Sequence, residues 1–158
     1  MFEDWSLTFW VVCFLVEAAL LGIIMYTLIC LADLENDFIN PHDSASRINK
    51  CVLPEYIMQA TQIFLFIFGG KWALLVLSII EASWMARTYL KGHSMMDVTE
   101  IFNELPKEKK VRLFKLFVHL LMFIVIIYRV VEAAVGFLMD THGPAISHTI
   151  MSNMARAR

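Results

Sequence analysis

The sequence predicts an all-α membrane protein, a bundle of four transmembrane helices with both termini on the lumenal or extracellular side. Three observations carry that expectation. The 158-residue chain is 59% hydrophobic and only 18% charged, against about a quarter charged in an ordinary soluble domain. The apolar residues come in long uninterrupted runs, which is how membrane spans read. Between the runs lie short segments dense in charge, chief among them Asp33-Leu34-Glu35-Asn36-Asp37-Phe38-Ile39-Asn40-Pro41. Acids and amides at that density are too costly for hydrocarbon, so this segment belongs in water or among headgroups. A single membrane domain is expected over residues 1–158.

The first span is expected at about 5–32. At helical rise this is roughly 42 Å, more than the hydrocarbon core requires, so tilt or protrusion follows. Glu3 and Asp4 precede it where a signal peptide carries basic residues, and the run is far longer than a signal's apolar region. It is therefore read as a retained span. The stretch from Tyr56 to Leu90 would be about 52 Å as one helix, too long for one simple crossing. Gly69-Gly70-Lys71 divides it, two weak helix formers and a charge followed by the interfacial residue Trp72. Spans at 54–69 and 72–90 result, the first opening on Pro54, whose missing N–H is harmless in a first helical turn. The 54–69 span is only about 24 Å long and must pack against protein or sit under a thinned bilayer. A last span is expected at 113–139, with loops at 33–53 and 91–112 and a mobile tail at 140–158.

Orientation comes from the basic residues. The 91–112 loop with its flank holds Arg87, Lys91, Lys107, Lys109, Lys110 and Arg112, and the first loop adds Arg47 and Lys50. The residues before the first span hold no Lys or Arg. The positive-inside rule assigns both loops to the cytosol and both termini to the lumen; Arg156 and Arg158 weigh against this from a distance. The rival counts 56–90 as one crossing, giving three spans and opposed termini. Within the second loop, Ile101, Phe102 and Leu105 give a short helix one apolar face, with Asp97 or Thr99 as cap and Pro106 at its end. Lys107-Glu108-Lys109-Lys110 reads as a headgroup-facing approach to the last span.

Glu17, Glu81, Arg129 and Glu132 are charges inside predicted spans, accompanied by His119, Gln59 and Gln62. Such groups cost a few kcal/mol each and normally face the bundle interior. Counted from the presumed lumenal ends, Glu17, Glu81 and Arg129 fall about 14–18 Å deep. Arg129 is therefore expected to pair with Glu81 or Glu17, with Glu132 as a second partner at i+3. The pairing either pins helix packing or offers a client helix a polar contact.

Other chemistries find little support. Neither H-x-x-x-H, H-E-x-x-H nor C-x-x-C occurs, and His42, His93, His142 and His148 are isolated, so neither a metal nor a cofactor is expected. Nucleophile elbows and glycine-rich phosphate loops are missing too, and the reading is non-enzymatic. The net charge of −2 and the lack of a basic, aromatic-interleaved stripe argue against nucleic acid. Cys13, Cys30 and Cys51 are too scattered for a disulfide framework or zinc. They read as inert thiols, with S-acylation of Cys30 or Cys51 as the alternative.

Three strings give the chain a family likeness: Asp33–Pro41 with Ser46-Arg47-Ile48-Asn49 and Pro54-Glu55; Asp97-Val98-Thr99-Glu100-Ile101-Phe102; and Lys115-Leu116 with His119-Leu120-Leu121-Met122-Phe123 through Tyr128-Arg129. Together they resemble the cornichon family over about residues 5–139. The resemblance implies four spans with lumenal termini and a cargo receptor that cycles between the endoplasmic reticulum and early Golgi in COPII vesicles. Its partners would be client membrane proteins, met through their transmembrane helices, the COPII coat and the surrounding bilayer. It implies coat binding by Ile101, Phe102, Asn103, Glu104 and Leu105, although fungal members carry a basic residue where this chain has Asn103. It implies cargo binding by Leu65, Phe66, Ile67 and Phe68. Two departures stand out. The inserted first-loop segment of channel-modulating animal members is lacking, and His142–Arg158 replaces the acidic tail of some fungal and plant members. The alternative function is an auxiliary subunit of a channel or transporter at the cell surface.

Overall fold

A computed structural model describes residues 2–92 and 95–157, with side chains from Trp5 onward. Four helices make up the described residues, with no strand among them: α1 (Phe2–Glu35), α2 (Pro41–Gly69), α3 (Trp72–Leu90) and α4 (Ile101–Arg156). All four are long and apolar enough to cross a membrane, so the four-span expectation holds over its three-span rival. His93 lies outside the described residues.

The Gly-Gly-Lys turn forms as its residue types require. Gly70 takes the left-handed conformation (φ 62°), and the Gly70 and Lys71 N–H groups close the helix on the carbonyls of Ile67 and Phe66. That conformation is strained for residues with a Cβ and free for glycine. The α1–α2 turn repeats the device with Asp37 at φ 59°, and the Phe38 N–H donates to Asp33 O at 2.8 Å.

Three boundaries differ from expectation. Helix α2 opens at Pro41, with Asn40 in extended conformation before it, so most of the expected 33–53 loop is helical and Pro54 lies inside the helix. Pro41 satisfies the first-turn preference as well as Pro54 does, and Ser44, Ala45, Ile48 and Val52 are buried, which rewards helix along 41–53. Helix α4 opens at Ile101, so the short loop helix and the last span are one rod running through Pro106 and Lys107–Lys110. That rod continues through the expected tail to Arg156. Its 56 residues measure about 84 Å.

Neighbouring helices run antiparallel. Helix α1 packs on α2 and α4, and α3 packs on α2, whereas α3 and α4 meet through side chains alone, Ser78 with Met122 and Glu81 with His119. The end where α1 and α3 finish and α2 and α4 begin gathers Arg47, Lys50, Arg87, Lys91, Lys107, Lys109 and Lys110; we call it the basic end. Two apolar clusters hold the bundle. Near the basic end, Cys30, Leu31 and Leu34 meet Ala45, Ile48, Met96, Ile101 and Leu105. Toward the other end, Trp10 and Cys13 meet Phe66, Leu74, Leu75, Met122 and Ile126. Gly69 closes that end: a Cβ there would overlap the Phe9 ring, so the α2 terminus approaches α1 only because the side chain is missing.

Candidate functional site

Between the two apolar clusters lies a polar layer to which all four helices contribute. On α1, the fully buried Glu17 accepts a hydrogen bond from Gln62 Nε2 of α2 and sits 2.9 Å from Nδ1 of His119 on α4. The other ring nitrogen, Nε2, lies 3.2 Å from Glu81 Oε2 of α3, at ion-pair distance but without hydrogen-bond alignment. Both imidazole nitrogens thus face carboxylates. At the aligned contact with Glu17, either Nδ1 or the acid must carry a proton, since two lone pairs cannot be directed at one another in a buried site.

The layer continues toward the basic end. Lys115 Nζ donates to Glu55 Oε1 at 2.7 Å, and Arg112 Nη1 lies 3.8 Å from Glu55 Oε2. Arg112 Nη1 also donates to Thr27 Oγ1 at 3.0 Å, and Thr27 donates in turn to Ile24 O. Gln59 Nε2 donates to Ser78 O and Tyr56 Oη to Met85 O, fastening α2 to α3. Buried ions joined in this way gain little stability over an apolar core of equal volume, but removing one partner is expensive. The layer fixes which helix faces meet.

Arg129 does not join it. Its Nη1 pairs with Glu132 at 2.7 Å, and both side chains are about half exposed, 47% and 54%. The expected link to Glu17 or Glu81 is absent, and the i+3 partner alone is met. The register explains this. Glu17 opposite His119 and Phe14 stacked on Phe123 at 5.1 Å put Arg129 level with the region of Thr8, about 13 Å from Glu17 along the bundle. The expected depth takes residue 139 as the end of the last span, whereas the helix runs on to Arg156. Glu81 is in the layer as an interior acid, and its partner is His119.

Two outward faces flank the layer. Of the residues expected to meet cargo, Phe66 is fully buried in the core and Leu65 half-buried against it. Ile67 and Phe68 point outward at 56% and 74% exposure, joined by Phe64, whose ring lies 4.4 Å from that of Phe68. Of the residues expected to meet a coat, Ile101 and Leu105 belong to the core beside Leu31, Leu34 and Ile48. Phe102 and Asn103 are exposed and Glu104 is half-buried. Neither Asp97 nor Thr99 caps α4; the Asp97 carboxylate accepts the Thr99 N–H at 3.1 Å in the turn before it, which lowers its pKa below the usual carboxylate range.

Sequence reasoning passed over one contact of the family-like strings. The Asn49 side chain bridges the Met96 backbone, Oδ1 accepting its N–H at 2.8 Å and Nδ2 donating to its carbonyl at 3.2 Å. It also left His119, Gln62, Gln59, Glu55 and Arg112 unjoined, although a signal was present. Glu55, Gln59 and Gln62 stand at i, i+4 and i+7, and Glu108, Arg112, Lys115 and His119 at i, i+4, i+7 and i+11. Each set is one polar stripe on an otherwise apolar helix.

These features define a class: a helical membrane protein with a buried ion-paired layer between two apolar clusters, an exposed apolar face on one span and an exposed Phe102 at its basic end. Comparison with known proteins narrows it. The family model described as Cornichon protein matches residues 7–128. Protein cornichon homolog 1 of Oryza sativa is 48% identical over 107 residues, 68% of this chain and 79% of the rice protein. Protein cornichon homolog 4 of Arabidopsis thaliana is 46% identical over 125 residues, 78% of this chain and 91% of the relative. An ER-derived vesicles protein of Saccharomyces cerevisiae is 35% identical over 109 residues, 69% of this chain and 77% of the yeast protein. The chain belongs to the cornichon family.

Proposed function

We propose that this protein is a cargo receptor of the endoplasmic reticulum, a non-enzymatic adaptor that carries membrane-protein clients into COPII vesicles. The observation that carries the reading is the α2 face of Phe64, Ile67 and Phe68, exposed on a helix whose opposite side is anchored in the core by Phe66 and in the polar layer by Gln62. Large rigid side chains on a fixed helix can pack on a client's span by van der Waals contact, the main attraction available between helices in lipid. Family membership and the ER-derived vesicles name of the yeast relative support the same compartment.

In this reading the basic end is cytosolic and both termini are lumenal, as the positive-inside bias favours. Phe102 and Asn103 then face the coat, while Ile101 and Leu105 hold α4 in position for them. The test is a budding reaction from microsomes containing the full chain. Phe102→Ala with Asn103→Ala should lower its recovery in vesicles, and Phe64→Ala with Phe68→Ala should lower that of co-transported clients while the receptor itself still buds. Unchanged recovery in both experiments, or steady-state residence at the plasma membrane, would replace this reading with that of a surface auxiliary subunit.

A further inference from the structure

A cavity of about 270 Å³ opens at the basic end between α2, α3 and α4. Its floor is α2, with Glu55 and Tyr56; its walls are the last two turns of α3 and the first four of α4. Deeper in the bundle α3 and α4 meet through Glu81 with His119 and Ser78 with Met122, but at the basic end the cavity lies between them. It therefore opens where two candidate membrane spans end, at the level of the headgroups. A small second cavity, bordered by Glu81 and His119, shares Glu55, Met85 and Lys115 with the first.

The lining is cationic. Arg87, Lys91, Lys107, Arg112 and Lys115 face Glu55, Glu104 and Glu108. Two of those acids are already engaged, Glu55 by Lys115 and Arg112, and Glu108 by Arg112 at 3.5 Å. Arg87, Lys91 and Lys107, by contrast, have no ion-pair partner among the described residues and stand exposed around the mouth. Arg112, more than nine-tenths buried, is occupied within the protein, its Nε facing Glu108 and its Nη1 facing Thr27 and Glu55. Trp84, an interfacial residue type, borders the same cavity.

We propose that this cavity binds the phosphorylated headgroup of a membrane lipid, of the phosphoinositide type. Three unpaired cations converging on one opening suit a phosphomonoester, which carries more charge than the diester of a common phospholipid. The volume admits a phosphorylated polyol and excludes a folded peptide segment. Its place between the ends of two candidate membrane spans supplies the reason for a lipid over a soluble phosphate, since acyl chains can stay in the bilayer while the headgroup enters.

The test uses the purified full chain in detergent micelles, titrated with dioctanoyl phosphatidylinositol 4-phosphate and followed by calorimetry. Saturable binding is expected, with dioctanoyl phosphatidylserine and phosphatidylcholine at least about tenfold weaker. Free inositol 1,4-bisphosphate should also bind at least about tenfold more weakly, because it lacks acyl chains to bury. Arg87→Gln with Lys107→Gln should weaken lipid binding by about tenfold or more. Arg47→Gln with Lys50→Gln, at the same end but outside the cavity, should leave it unchanged. Should the first pair fail to fold, Lys91→Gln gives the same reading from the rim. Phosphatidylserine binding as tightly as the phosphoinositide, or the two double variants behaving alike, would reduce the effect to surface attraction and overturn the site. A free headgroup binding as tightly as the lipid would overturn the lipid assignment.

Discussion

At the scale of single residues, Glu17 and Arg129 make an instructive pair. Both are charges within apolar runs, yet one is fully buried between Gln62 and His119 and the other shares a half-exposed pair with Glu132. Glu17→Ala strips Gln62 of its acceptor and His119 Nδ1 of its partner, and removal of one member of a buried pair costs about 3–5 kcal/mol. Arg129→Ala loses an exposed i,i+3 pair worth about 0–1 kcal/mol. Thermal unfolding in detergent should therefore show a large loss for the first and little change for the second; equal losses would refute the buried layer. Composition showed that intramembrane charges exist. It could not show their level or bearing, because neither has meaning until the register of the neighbouring helix is known. The stripes on α2 and α4 carried part of that information, since a polar stripe on an apolar helix must find polar company.

At the scale of elements, the turn at Gly70 was legible because glycine is nearly obligatory for a left-handed closure, and the chain spells it out. The starts of α2 and α4 were not. Hydropathy marks where a helix enters lipid, and 41–53 and 101–112 are helical outside the apolar runs, held by burial of Ile48, Val52, Ile101 and Leu105. Proline misled in both places: Pro54 and Pro106 suit a helix boundary, yet both lie within helices. The segment between α3 and α4 is positioned by the Asn49 clamp on Met96. Asn49→Ala leaves a backbone donor and acceptor unpaired at a buried residue, a loss of about 1–3 kcal/mol. Hydrogen exchange at the Met96 amide should accelerate correspondingly, with the α1 amides near Leu20 unaffected. No acceleration would mean that Met96 is held by its apolar neighbours alone.

At the scale of the whole molecule, the helices differ widely in length, and α3 is the shortest at 19 residues. That is about 28 Å at helical rise. Bilayers are not uniform in depth: the endoplasmic reticulum membrane is about 27 Å across its hydrocarbon and the plasma membrane about 32–33 Å. Helix α3 therefore matches the former and falls some 5 Å short of the latter, at fractions of a kcal/mol per ångström. Fastened to α2 by Tyr56 and Gln59, it has little freedom to tilt or slide by itself. Without any recognition motif, the shortfall makes a deeper membrane the costlier surroundings for α3. Four leucines inserted after Leu77 should shift the steady-state distribution toward later compartments, read by fractionation, whereas four alanines added beyond Leu90 should not.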